Sequence, residues 1–267
     1  MRATVADARL SGEALIAIPA RFGSTRLPGK ALLDLEGRTL VQRVAANMLA
    51  VPGAEVVVVT DDERIARSAE AVGARAFVSR RAAESGSDRI RHYLDDARPA
   101  WPEILVNVQG DEPLLEPEVV TALIARVAGD RHVRVATCLR ALDADEASDP
   151  HVVKGALLPT GVVEDFARLP AEDGDPARTE ADLACPRRHR WLAHVGAYAF
   201  RAEAFRAFTD LPPSPRERSE RLEQLRMLEN GIAVHGVAIE GRPIALDTPV
   251  DAERVRAILR AALGARS

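Results

Sequence analysis

The sequence predicts an α/β protein: a mostly parallel central sheet with helices on both faces, interrupted by a small insertion between about 140 and 215. Three observations carry that expectation. Short apolar runs of strand length recur along the chain, and most are followed by stretches with helical spacing. Acids and small polar residues stand at the carboxyl ends of these runs, where open α/β sheets bind ligands. The length, 267 residues, suits one large α/β domain, here assigned to residues 14–267 with a disordered extension over 1–13.

The first run is Ala14, Leu15, Ile16, Ala17 and Ile18, the pattern of a buried parallel strand. From about Thr39 the residues Leu40, Val41, Val44 and Met48 recur at helical spacing. The linker between them carries Arg21, Ser24, Arg26, Gly29 and Lys30. A strand, a small-residue turn rich in donors, then a helix can hold a triphosphate: glycines admit the backbone, amides point inward and cations offset the charge. The spacing matches neither the G-x-x-x-x-G-K-[ST] loop nor the G-x-G-x-x-G fingerprint, and the alternative is a polar surface loop. Of the 36 basic residues only Lys30 and Lys154 are lysines. A lysine kept against that bias suggests a need for a compact ammonium, and Lys30 is a candidate phosphate ligand.

Residues 55–60 (EVVVVT) read as a second strand, with Asp61 and Asp62 capping a helix over 63–72 that Gly73 ends. A short strand follows at 76–78. The segment ESGSDR, 84–89, opens another helix; its hydroxyls suit helix capping and a nucleobase edge equally. The fourth strand, ILVNV at 104–108, runs into Gln109-Gly110-Asp111-Glu112-Pro113. Asp111 is a candidate magnesium ligand, a hard oxygen at a strand end. The alternative makes Asp111 and Glu112 solvated charges capping a helix over 117–127.

Beyond a strand at 133–138 the chain becomes acidic and irregular (143–149), turns at 159–161 and crosses a polar stretch, 172–180, read as an exposed loop. Strand character returns at 193–200, and PPSP at 212–215 is a rigid break. A helix is expected over 217–228, carrying Glu220, Glu223 and Gln224, then strands at 233–239 and 244–246 and a final amphipathic helix over 250–263. Asp247, placed after the last strand and before a helix, repeats the setting of Asp111. Two such carboxylates on one sheet edge can share one magnesium ion and hold a nucleoside triphosphate.

Composition excludes several classes. A net charge of −4 argues against a general nucleic-acid binder. No apolar run reaches membrane-spanning length, and residues 1–13 lack a signal peptide's apolar core. Cys138 and Cys185 form no disulfide framework, which fits a reducing cytoplasm, and Cys185, His189 and His194 match no zinc spacing.

The chain resembles the 3-deoxy-manno-octulosonate cytidylyltransferases in Pro19-Ala20-Arg21, in the run from Ser24 to Lys30 (STRLPGK), in Ser85-Gly86 and in NVQGDEP at 107–113. The resemblance continues through Val153-Lys154, HVGAY at 194–198, PSP at 213–215, EQLR at 223–226 and Asp247-Thr248-Pro249, in family order. It implies a three-layer Rossmann-like nucleotidyltransferase fold whose insertion serves acceptor binding and dimerisation. It also implies CMP transfer from CTP to a small anionic acceptor with release of pyrophosphate, in a cytoplasmic homodimer using Mg2+. By position, Arg21, Ser24 and Lys30 would hold the triphosphate, and Ser85, Arg89 and Gln109 would lie near the nucleoside. Asp111 and Asp247 would ligate the metal; Arg21 and Lys30 would join them in catalysis. Arg168, His194, Tyr198, Glu223 and Gln224 would face the acceptor, with Arg168 and His194 supplying positive or donor groups. The sequence departs from the family around 167–172 (ARLPAE) and up to Trp191. A phosphonate such as phosphonoformate is therefore an alternative acceptor, and a non-catalytic nucleotide-binding regulator is the alternative of another class.

Overall fold

A computed structural model of the chain describes residues 14–23, 27–98, 100–169 and 189–264. The expected extension, Ser24 and the loop at 172–180 lie outside the described residues.

The first apolar run is β1, Ala14–Ala20, buried at every position. Its side chains alternate between two cores: Ala14, Ile16 and Ile18 on one face, Leu15 and Ala17 on the other. β2 (Ala54–Thr60) pairs with it in parallel on one side and β4 (Ile104–Val108) on the other, while β3 (Arg75–Val78) extends the edge beyond β2. The remaining strands are β5 (Val135–Arg140), β6 (Lys154–Leu157), β7 (Val162–Ala167), β8 (Arg190–Arg201) and β9 (Val234–Ala238). The nine form one sheet in the order β3-β2-β1-β4-β8-β5-β9-β7-β6.

The α/β expectation holds, and the parallel pairing is concentrated in the half that carries β1. β8 enters antiparallel between β4 and β5, and β6–β7 is an antiparallel hairpin. β6 also pairs with β8, so that end of the sheet closes on itself. The stretch expected as an insertion, 140–215, thus contributes β6, β7 and β8 to the same sheet.

Helices cover both faces. On the face of Ile16 lie α1 (Leu40–Met48), α2 (Glu63–Glu70), α4 (Pro117–Gly129) and α8 (Pro249–Gly264), represented by Val44, Ile65, Ile124 and Val255. On the face of Leu15 lie α3 (Gly86–Ala97), α5 (Ala202–Asp210) and α7 (Leu225–Glu229), through Ile90, Phe205 and Leu225. Local chemistry sets the helix starts: Thr39 and Gln42 form a capping box, as do Ser85 and Asp88, and Asp62 caps α2. Each such cap contributes about 1 kcal/mol.

Two expectations are corrected. The single helix expected over 217–228 is two, α6 (Pro215–Glu220) and α7, separated by Arg221 at φ 56, ψ 45. The left-handed backbone costs an L residue roughly 1–2 kcal/mol. The break lets Leu222 and Gln224 turn inward, which a continuous helix from Pro215 would not allow together with α7's packing. The strand expected at 244–246 does not form; the segment is tied by the Leu246 amide, which donates to the Asp111 carbonyl at 2.8 Å. Lys154, the second surviving lysine, is wholly buried and donates to the carbonyls of Asp149 and Arg168, so it ties backbone together instead of meeting a ligand.

Candidate active site

The carboxyl ends of β1 and β4 open onto a cleft of about 750 Å³, lined among others by Arg21, Lys30, Ser85, Arg89 and Gln109. A second cavity of about 710 Å³ adjoins it, lined by Glu112, Arg140, His194, Tyr198, Glu223 and Gln224. Asp111, Asp247, Gln109, His151, Arg168 and Arg221 line both. Every described residue assigned from the sequence to the nucleotide faces the first cavity. Every one assigned to the acceptor faces the second.

Where the cavities meet, Lys30 Nζ donates to Asp111 Oδ2 at 2.8 Å and to Asp247 Oδ1 at 3.0 Å. Burial pulls the ammonium's pKa down, but the two carboxylates outweigh it and leave it raised. Lys30 begins a 3-10 turn directly after Gly29, whose φ of 71 suits glycine. Asp111 arrives on the turn after β4. There Gly110 lies against the end of β1: a Cβ on it would stand 2.7 Å from the Pro19 carbonyl oxygen. Asp247 is aimed by the cap of α8, where Asp251 Oδ2 accepts from the amides of Asp247 (3.2 Å) and Thr248 (2.8 Å).

Two carboxylates already converging on one cationic nitrogen fit a hard divalent ion. Magnesium commonly takes one or two protein carboxylates and fills its octahedron with water and phosphate oxygens. Among the described residues no group of three or more His, Cys, Asp or Glu forms an all-protein cage.

In the first cavity, Arg89 pairs with Asp61 at 3.1 Å, and its buried Nη1 has no partner. Ser85 both caps α3 and donates from Oγ to Glu223 Oε1 at 2.8 Å, so it joins the two cavities. Of the two readings of the ESGSDR segment, helix capping is met by Ser85. Gln109 donates through Nε2 to Asn107 Oδ1 at 3.3 Å, and its amide pairs with the Gly196 carbonyl. Arg21 is exposed at the mouth.

The acceptor cavity differs from expectation in charge. Thr137 Oγ1 donates its proton to the Ala197 carbonyl, so at 2.9 Å it accepts from His194 Nε2–H, leaving Nδ1 as an acceptor. Burial pushes the His194 pKa down to about 3, and the imidazole is neutral. It is not a positive group. Arg168 donates from Nε to the Glu220 carbonyl (3.0 Å) and from Nη1 to the Pro150 carbonyl (3.1 Å), so much of its donor set is committed to backbone. Burial raises the Tyr198 phenol, reinforced by Glu223, and its hydroxyl has no partner. Burial likewise raises Glu223 against the opposing hydrogen bonds of Ser85 and Ser87.

Sequence reasoning treated Glu112 only as a solvated charge. Its carboxyl is buried, Oε1 accepting from the Gly196 amide at 3.0 Å and Oε2 unpartnered. Burial, with Asp111 adding, pushes its pKa up to about 7. The only local signal was its place in the QGDEP turn. Its burial arises from β8, which is distant in sequence.

A mixed α/β sheet with paired carboxylates at a junction of two cavities suits a nucleotidyltransferase. The family model described as cytidylyltransferase matches residues 15–238. The 3-deoxy-manno-octulosonate cytidylyltransferase of Escherichia coli is 38% identical over 248 residues, covering 92% of this chain and 96% of the relative. That of Anaeromyxobacter dehalogenans is 42% identical over 247 residues, covering 92% and 97%. A solved structure of CMP:2-keto-3-deoxy-manno-octonic acid synthetase complexed with CTP aligns with TM-score 0.82 at 36% identity, covering 94% of this chain and 99% of that one. The chain belongs to the 3-deoxy-manno-octulosonate cytidylyltransferase family, and it is a CTP-dependent nucleotidyltransferase.

Proposed function

We propose that the protein transfers CMP from CTP to 3-deoxy-manno-octulosonate, releasing pyrophosphate, with Mg2+ held by Asp111 and Asp247. The observation that carries this reading is the convergence of those two carboxylates on Lys30 Nζ where the nucleotide and acceptor cavities join. An acceptor hydroxyl oxygen attacks the α-phosphorus in line. The new O–P bond forms as the bond to the β-phosphate oxygen breaks, and the hydroxyl proton passes to solvent. Arg21 and Lys30 bind the departing phosphates; Ser85, Arg89 and Gln109 orient the nucleoside. Tyr198, Glu223, Gln224 and the Nδ1 lone pair of His194 offer a hydroxyl-rich acceptor both donors and acceptors, which favours a sugar acid. Arg168 shapes the wall between residues 150 and 220. Magnesium, when bound, neutralises charge on the phosphate oxygens. The protein's own contribution is positioning and preorganised charge, with no covalent nucleophile.

The relatives favour the sugar acid over a phosphonate, and a paired-carboxylate metal site is unnecessary for a regulator that only senses nucleotide. A homodimer acting in the cytoplasm, where CTP is made, completes the reading. The test is a competition assay with CTP, Mg2+ and equal concentrations of 3-deoxy-manno-octulosonate and phosphonoformate, following CMP conjugates by mass. A conjugate of phosphonoformate alone overturns the acceptor. CTP binding with no pyrophosphate release from either overturns the transfer.

A further inference from the structure

Six residues line both cavities, and they divide by charge. Asp111 and Asp247 form the acidic wall, Arg168 and Arg221 bring guanidinium groups to the same junction, and Gln109 and His151 complete it. Arg221 is set apart within that group. It and Glu36 are the only non-glycine residues with positive φ among the described residues, and Arg221 sits fully in the left-handed region. Its guanidinium has no hydrogen bond or ion pair among the described residues, whereas Arg168 is held by two backbone carbonyls. Of the other arginines lining the acceptor cavity, Arg140 is locked on both oxygens of Glu146, Arg242 pairs with Asp143, and Arg254 lines that cavity alone and not the junction. His194 is neutral.

A glycine would end α6 without strain. The break itself serves packing, since it lets Leu222 and Gln224 turn inward; the exposed guanidinium makes no hydrogen bond or ion pair to a described residue, so the use of arginine in place of glycine points to a ligand-directed role. The chemistry of the junction supplies one. An acidic acceptor must bring its own anionic group beside the anionic α-phosphoryl group before its oxygen can attack. The two repel, and a planar guanidinium with free donors can bind the acid group bidentately while facing the phosphoryl oxygens.

We propose that Arg221 is a substrate-binding cation at the cavity junction, which grips the acid group of the acceptor and holds it against the α-phosphoryl group. This rests on the cytidylyltransfer reading above. Arg221 therefore determines acceptor affinity and approach, and contributes little to binding of CTP alone.

Arg221→Gly separates this role from a structural one, because it relieves the backbone while deleting the guanidinium. The unfolding temperature is expected to stay level or rise by a few degrees. The acceptor KM is expected to rise on the order of tenfold or more, with a further fall in kcat, while CTP affinity by calorimetry stays within about twofold. Arg221→Lys, which restores a cation, is expected to recover part of the acceptor KM. Wild-type kinetics in Arg221→Gly would overturn the assignment and leave Arg221 as a helix terminator. A loss of CTP affinity as large as the loss in kcat/KM would overturn it in favour of a nucleotide contact. Turnover of 3-deoxy-manno-octulosonate by the wild type is measured first: its absence overturns the functional reading and this assignment with it, whereas turnover unchanged by the variant overturns only the latter.

Discussion

Replacing Lys30 by methionine tests the junction most directly. The substitution keeps most of the side chain's length and removes the ammonium that bridges Asp111 and Asp247. Two charge-assisted hydrogen bonds are lost, each worth roughly 1.5–3 kcal/mol where solvent is excluded. The lysine side chain is 15% exposed and the carboxylates 28% and 29%, so solvent screens part of this. A net destabilisation of about 2 kcal/mol follows without metal, or a fall of ~4–8 °C in unfolding temperature for a chain of this size. The two carboxylates then face each other uncompensated, and Mg2+ becomes their counter-charge. At tenfold excess over its Kd the metal returns about 1.4 kcal/mol, so titration restores a few degrees. In the wild type the ion competes with the ammonium, and its thermal effect is smaller. Thermal unfolding of both proteins against Mg2+ concentration, without nucleotide, reads all of this. A variant that melts within about 1 °C of wild type without metal refutes the bridge. An equal Mg2+ shift in both proteins refutes the shared site.

Four further outcomes are expected. Asp111→Asn and Asp247→Asn each lose most turnover, on the order of a hundredfold or more, with the fold retained by circular dichroism; near-normal rates at limiting Mg2+ would remove them from the chemistry. Lys30→Arg, whose planar fork cannot take the place of a compact ammonium between the two acids, loses on the order of ten- to a hundredfold in kcat, and wild-type kinetics would make Lys30 an ordinary cation. Gly110→Ala forces its Cβ toward the Pro19 carbonyl, 2.7 Å away and on an immovable strand, at a cost of roughly 1–3 kcal/mol in denaturant unfolding; an unchanged midpoint would show that the turn yields. His194, with a folded pKa lowered to about 3, binds fewer protons than in the unfolded chain between about pH 3 and 6.5. Stability from this group is thus present above pH 6.5 and lost as pH falls, by up to ~1.4 kcal/mol per pH unit. His194→Gln should flatten that slope, and an unaltered slope would show that the imidazole is not held neutral.

How much of this was legible in the chain depends on the range of the interaction concerned. β1, β2 and β4 were readable because strands buried on both faces leave unbroken apolar runs, as in Ala14–Ala20. Thr39 and Ser85 announced α1 and α3 because a capping box needs only residues three apart. The candidate site residues were chosen through motif spacing, and the described ones line the two joined cavities. Other features depended on partners far away in sequence. Glu112 is buried against β8, where burial raises its carboxyl's pKa in spite of the hydrogen bond from the Gly196 amide. His194, expected as a positive or donor group, is left neutral by burial beside Phe166 and Tyr198, and its Nε2–H donates to Thr137.

By itself the sequence determined the fold class, the strands flanking β1, the starts of α1 and α2 and the family, all of which follow from periodicity, capping and short motifs. Only the tertiary structure decided that β8 lies between β4 and β5, that the helix after Ser214 breaks at Arg221, and that Lys30 stands between Asp111 and Asp247. The reason is physical: apolar periodicity records which face of an element is buried but not by what. Charge and strain depend on the neighbours that the completed fold brings within a few ångströms.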